Sequence, residues 1–300
     1  MEWQGGRRSD NVEDAPRAGF GRPLAFGGGA VGIIGAILYY LLTGQLPDVQ
    51  QDPSSQVQQQ APRQPTAAVQ QEREFASVVL ASTEDTWTAV LPRQAQRQYV
   101  PPKLTLFQDA VESACGYAES AMGPFYCPPD QRVYLDLGFF DQLRRMGAPG
   151  DFARAYVIAH EIGHHVQNLL GIERRVSMLR RSVGSRADSN ALSVLTELQA
   201  DCYAGVWAHH SNANSRPDGS GQVGQSTARA LRIVPEDIES GLAAAASVGD
   251  DRLQKQARGY VTPESFTHGS SAQRVSWFKT GMQTGELRAC DTFGKAGIRL

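Results

Sequence analysis

The sequence predicts an α+β protein, mainly helical with a small sheet, preceded by one transmembrane helix. Three features point there. A charge-free apolar run fills 24–43, a Gln- and Pro-rich stretch follows it, and most segments beyond 72 repeat apolar residues at helical spacing around two short strand-like runs. Lys and Arg number 29 against 31 Asp and Glu, so no strong positive balance marks nucleic acid as a partner. Mean hydropathy is −0.35, so the bulk of the chain is soluble.

The run at 24–43 is long enough for about 30 Å of hydrocarbon, and Tyr39 and Tyr40 stand near its end, where aromatic rings favour the interface. A cleaved signal peptide would need an A-x-A-like site, which TGQLPDVQ lacks. Arg7, Arg8, Arg17 and Arg22 precede the run, and the next basic residue is Arg63. The positive-inside rule then puts 1–23 in the cytoplasm as a short flexible tail, with 24–43 as a single-pass anchor. Residues 44–71 cannot bury enough apolar surface to order themselves and form a flexible linker. A globular domain at 72–300 lies outside the cytoplasm.

Within that domain, 74–91 is expected to be helical with Phe75, Val78, Val79 and Trp87 in the core, 103–107 a strand, and 109–121 helical. Residues 132–137 alternate as a half-buried strand, here expected at the sheet edge where an extended peptide could add itself, and 139–146 is a short helix. Asp151 is a candidate N-cap for a helix over 152–170, and Gly171 a candidate C′ residue. Gly163 inside that helix implies a close approach by neighbouring backbone. The basic segment 172–190 joins it to a helix over 191–210, capped by Ser189 or Asn190, and a polar loop follows. Pro235 opens another helix, and the capping box of Ser270 and Gln273 starts a last one through about 284, with Val275, Phe278 and Met282 inward.

The chemistry is concentrated in His160-Glu161-Ile162-Gly163-His164, an H-E-x-x-H motif. Histidines four residues apart lie about 40° apart around a helix, so both imidazoles can grip one Zn²⁺. Glu161 can take a proton from water beside the metal. His165 points about 100° away and reads as structural. A tetrahedral zinc needs a further protein ligand. The extended H-E-x-x-H-x-x-G-x-x-H pattern is excluded, because Gln167 and Leu170 stand where its glycine and histidine belong. Glu197, in the next helix, is the candidate third ligand, and Asp201 at i+4 can accept the outer N–H of a liganding histidine. Asp201 itself or a later histidine is the alternative ligand. His268, just before a helix N-terminus, is the candidate second donor to the oxyanion, ahead of Arg274 and Tyr203.

Four cysteines, Cys115, Cys127, Cys202 and Cys290, allow three pairings. Pairing 115 with 127 closes the simplest local loop and leaves 202 with 290; plain buried thiols are the alternative. The absence of C-x-x-C argues against a cysteine zinc site.

The segments MEWQGGRRSDNVEDAP, GPFYCPPDQRVYLDLGFF, AHEIGHHVQNLLG, ELQADCYAGVWA, AAASVGDDRLQ, SFTHGSSAQRVSWFKTGMQTG and CDTF together resemble the bacterial "putative neutral zinc metallopeptidase" family. The resemblance implies a zincin-like catalytic domain and zinc peptidase activity, with Zn²⁺ as cofactor; a peptide or protein substrate is expected from that activity, and the apolar run with its Lys/Arg bias predicts a bacterial inner-membrane location. A non-catalytic zinc-stabilised envelope protein that binds a partner is the competing function, and a zinc hydrolase of non-peptide amides shares every site residue. Nothing in the sequence fixes the oligomeric state.

Overall fold

The computed structural model describes residues 1–15, 66–119, 123–214 and 231–300. The architecture is α+β and mainly helical. A four-stranded sheet has the order β1 (Val12–Asp14), β2 (Lys103–Phe107), β6 (Arg132–Asp136), β5 (Phe125–Cys127). The first three strands run parallel, and β5 lies antiparallel to β6. A separate hairpin pairs β3 (Ala110–Ser113) with β4 (Gly116–Glu119).

Helices cover the sheet and then each other. Helix α1 (Ala67–Ala95) starts earlier than expected and buries Phe75, Val78, Val79 and Trp87. After α2 (Phe139–Arg145) comes α3 (Asp151–Leu169), nearly all of it buried. Gly171 follows with φ +70°, the left-handed geometry expected of a C′ glycine. Helix α4 (Ile172–Ser182) leads to α5 (Arg186–Asn214), α6 (Pro235–Ser247), α7 (Asp250–Arg258) and α8 (Ser271–Thr284). Ser270 caps α8 in the expected capping box with Gln273. Aromatic contacts knit the helices: Phe152 stacks on Trp207 at 5.9 Å, and Tyr156 meets Phe278 edge-on at 5.5 Å.

Glycines set the tightest crossings. A Cβ on Gly163 would stand 2.9 Å from the Ala200 carbonyl oxygen, the close approach its position in α3 predicted. A Cβ on Gly205 would stand 2.1 Å from the Phe278 oxygen, and one on Gly281 1.9 Å from the Cys202 oxygen, so α5 and α8 cross backbone to backbone.

Several expectations change. Residues 109–121 are a hairpin among the described positions rather than a helix: Gly116 at φ +114° makes the turn, and Cys115 is tied by a disulfide to Cys127. The strand expected at 132–137 is interior, between β2 and β5, and the edges of the sheet are β1 and β5. Asp151 does not cap α3; Gly150 holds the N-cap position, and Asp151 accepts from Trp3 Nε1 at 2.8 Å. Helix α5 begins at Arg186, where Ser185 Oγ accepts from the Asp188 N–H at 3.0 Å, not at Ser189 or Asn190.

The largest correction concerns the N-terminus. Residues 1–15 are not a tail but part of the domain, and helical order already begins at 67. Trp3 is buried against Phe75 at 5.4 Å, Glu84 accepts from Ser9 and Asn11, and Val12–Asp14 pairs with the strand at 103–107. The expected span 24–43, and the linker up to 65, lie outside the described residues. Among the described residues no helix is long and apolar enough to cross a membrane. Trp3→Ala, removing a core indole, is expected to lower unfolding free energy by about 3–5 kcal/mol in urea titrations; a loss below 1 kcal/mol would restore the flexible tail.

Candidate metal centre

Helix α3 presents His160 and His164 on one face, with ring centroids 4.8 Å apart. Helix α5 crosses that face and supplies Glu197, whose Oε2 lies 3.2 Å from His160 Nε2 and whose Oε1 lies 3.4 Å from His164 Nε2. All three ligand atoms fall within 4.8 Å of one another, so the group could hold a metal ion. Ligands about 2.0–2.1 Å from a tetrahedral zinc stand about 3.3–3.4 Å from each other, close to the 3.2 and 3.4 Å between the two Glu197 oxygens and the imidazole Nε2 atoms. The sequence-predicted ligand set is thus brought together.

Each imidazole is oriented by its other nitrogen. His160 Nδ1 lies 2.8 Å from Asp201 Oδ1, which leaves Nε2 as the lone-pair atom. Asp201 is fully buried and accepts from Arg274 Nε at 2.9 Å, from a terminal Arg274 nitrogen at 2.9 Å and from the Tyr156 hydroxyl. His164 is held differently. Its Nδ1 lies 2.9 Å from Gln167 Oε1, and Gln167 Nε2 donates to the Thr196 carbonyl at 2.8 Å and to Gln199 Oε1 at 3.0 Å. Gln199 Nε2 in turn donates to the Cys290 carbonyl at 3.0 Å. Cys290 is bonded to Cys202 and Cys115 to Cys127, the pairing expected from loop closure. The second bridge therefore braces the back of the helix that carries Glu197 and Asp201.

Burial works against charge throughout the cluster, yet opposite charges win at most positions. Asp201 raises the His160 pKa, and Glu197 holds His164 up at about 10. The two imidazoles draw Glu197 well below the carboxylate range, and Arg274 draws Asp201 down. Glu161 goes the other way: burial lifts its carboxyl above the ordinary value, against the pull of His160 and His164.

The cluster lies in a cleft of about 480 Å³. Pro124, Phe125 and Tyr126 line it, as do Glu173, Val176 and Arg180 of α4 and Glu161, His268 and Arg274. Among the described residues no donor bonds the Glu161 carboxylate. His268 is half-exposed, and its loop is fixed by Asp250, whose Oδ2 accepts the backbone N–H groups of Thr267, His268 and Gly269 at 2.7, 2.6 and 3.0 Å. Asp250 Oδ1 stands 3.2 Å from His268 Nδ1 and raises the imidazole pKa. Arg274 supports Asp201, whereas Tyr203 is buried against Trp87 and stays out of the cleft. His165 is structural: it bonds the Val100 carbonyl at 2.7 Å and the Tyr126 hydroxyl at 3.0 Å, and burial lowers its pKa to about 4.

Comparison with known proteins places this geometry in a family. The model of the family described as "putative neutral zinc metallopeptidase" matches residues 1–293. The chain belongs to that family. It is 44% identical over 313 aligned residues to "Uncharacterized protein YpfJ" of Escherichia coli K12, covering 99% of this chain and 100% of that protein. It is also 44% identical over 222 residues to "Uncharacterized protein Rv2575" of Mycobacterium tuberculosis H37Rv, covering 72% of this chain and 69% of that one. No solved structure matches. The match from residue 1 agrees with an N-terminal segment that folds with the domain.

Sequence reasoning did not single out Gln167, Gln199, Tyr156 or Asp250. Gln167 carried a usable signal, because it stands at i+3 from His164 on the same helical face. Gln167→Leu is expected to weaken zinc affinity about 10–100-fold with the fold retained, measured by competition with a chromogenic chelator; unchanged affinity would mean the amide chain does not orient His164.

Proposed function

We propose that the protein is a zinc-dependent peptidase in which His160, His164 and Glu197 hold the metal and Glu161 is the general base. The observation that carries this is the Glu161 carboxylate. It lies beside a His-His-Glu group that could hold a metal ion, lines the cleft, and has no hydrogen-bond donor among the described residues. A purely structural metal site has no use for such a group, which weighs against the non-catalytic envelope protein.

A bound zinc ion would supply a Lewis acid that lowers the pKa of water toward about 7 and polarises a carbonyl. Glu161 takes the proton of the attacking water as the new C–O bond forms, then delivers it to the amine as the C–N bond breaks. Asp201 keeps His160 in the tautomer that offers Nε2. His268 donates to the developing oxyanion from the cleft rim. Strand β5 supports a peptide substrate and cleavage within chains, because it is an edge strand that also lines the cleft and can align an extended backbone.

The two disulfides favour an oxidising compartment outside the cytoplasm. The apolar 24–43 run supports membrane association, with both of its flanks on one face because β1 and β2 are paired. Tags placed before Met1 and after Leu300 are therefore expected to share one accessibility to external protease in cells; opposite accessibility would sink the shared sheet.

Glu161→Gln is expected to retain zinc and lose turnover of an unfolded protein by at least about a hundredfold. Equal turnover by the variant would remove the peptidase claim. The pH profile tests His268. Asp250 first, and Glu197 after it, raise its pKa while burial and Arg274 oppose them, so it holds its proton to higher pH than an ordinary imidazole and loses it as pH rises through that elevated value. Asp250→Asn is expected to move the basic limb of kcat/KM to lower pH; an unmoved limb would take the His268 proton out of the reaction.

A further inference from the structure

Three cationic side chains line the cleft, and two are already committed. Arg274 is buried with its fork on Asp201 and Tyr156, and His268 stands on Asp250. Arg180 is different. Its Nε donates to Ser189 Oγ at 3.2 Å, its side chain is exposed, and among the described residues no carboxylate pairs with it. The stem is pinned while the terminal nitrogens remain available.

The surroundings strengthen that charge. Residues 172–190 hold five arginines (174, 175, 180, 181 and 186) against Glu173 and Asp188, a net of 5 − 2 = +3 in a chain of net −2. Arg174, Arg181 and Arg186 are exposed in the same segment, and Asp188 is taken up by Ser185. The lining residues Gly123 to Tyr126 and Pro128 carry no charge. Glu173 also lines the cleft, seven residues before Arg180 on α4 and about 10 Å along the axis. An anionic group is therefore attracted near the end of α4 that carries Arg180 and repelled near the end that carries Glu173.

We propose that Arg180 is a specificity-determining residue that takes a substrate carboxylate, so the favoured substrates are acidic peptides or peptides ending at that point. The proposal rests on the peptidase function above. A guanidinium fork recognises a carboxylate in bidentate fashion, which a lysine does not reproduce. The two sources of carboxylate, an Asp or Glu side chain and a chain terminus, share this chemistry.

The test is a binding measurement that needs no turnover. The full chain as Glu161→Gln, loaded with zinc, is titrated with fluorescein-labelled Ala/Gly decapeptides carrying one Glu or one Gln at successive positions, each with a free or an amidated C-terminus. Glu is expected to tighten binding about fivefold over Gln at one position at low salt, with the gain shrinking as salt rises. Arg180→Gln should abolish the difference, and Arg180→Glu should transfer the preference to a Lys peptide. A gain that follows the free C-terminus and vanishes on amidation also supports the proposal and assigns the carboxylate to the chain end. Equal binding of all peptides, or a Glu preference that survives Arg180→Gln, overturns it while wild-type hydrolysis of the same peptides would leave the peptidase function standing. No binding of any peptide, with no wild-type hydrolysis, overturns both.

Discussion

The contact between Gly163 and Ala200 is the constraint on which the site depends. Gly163 lies between the two histidines of one helix, and Ala200 lies between Glu197 and Asp201 of the other. A side chain on Gly163 would run into the Ala200 backbone. The two helices can therefore approach closely enough for a short glutamate to reach two imidazoles. Other contacts hold that crossing in place: β5 against α3, the Cys202–Cys290 bridge behind α5, and α8 locked to α5 through Gly205 and Gly281.

The two histidines are supported by unlike chemistry. His160 leans on a buried carboxylate that is itself neutralised by a two-pronged Arg274 contact, an arrangement in which removing either charge leaves the other stranded. His164 leans on a neutral amide chain that ends at a disulfide-linked carbonyl. One side of the cluster thus contributes a compensated charge and the other contributes only dipoles. Glu197 remains the net anion facing the point where the ligand atoms converge, which suits a divalent cation better than a third charged partner would.

The site was more legible in the sequence than the sheet, for a physical reason. His160, Glu161 and His164 interact within one turn, and Glu197 with Asp201 within another, so helical periodicity alone places them. Only the meeting of the two turns is non-local, and the known spacing rules of zinc sites supplied it. The long helices were legible for the same reason, down to the Ser270 cap and the Gly171 terminus. The sheet depends on pairing across long separations. Val12–Asp14 is three residues long and finds its partner about ninety residues later, and no local pattern marks it. The hairpin at 110–119 was misread because its turn rests on Gly116 and a disulfide rather than on alternation. Asp250 and Gln199 act through loops and carbonyls far away in sequence, which leaves no spacing to read.

The central claim is that two turns from separate helices converge on one divalent ion. Anomalous scattering at the zinc edge, from crystals of the zinc-loaded protein, tests it most directly. The account predicts a single strong peak about 2.0–2.1 Å from the Nε2 atoms of residues 160 and 164 and from a carboxylate oxygen of residue 197. A peak ligated elsewhere, or coordination that omits the residue 197 carboxylate, would contradict it.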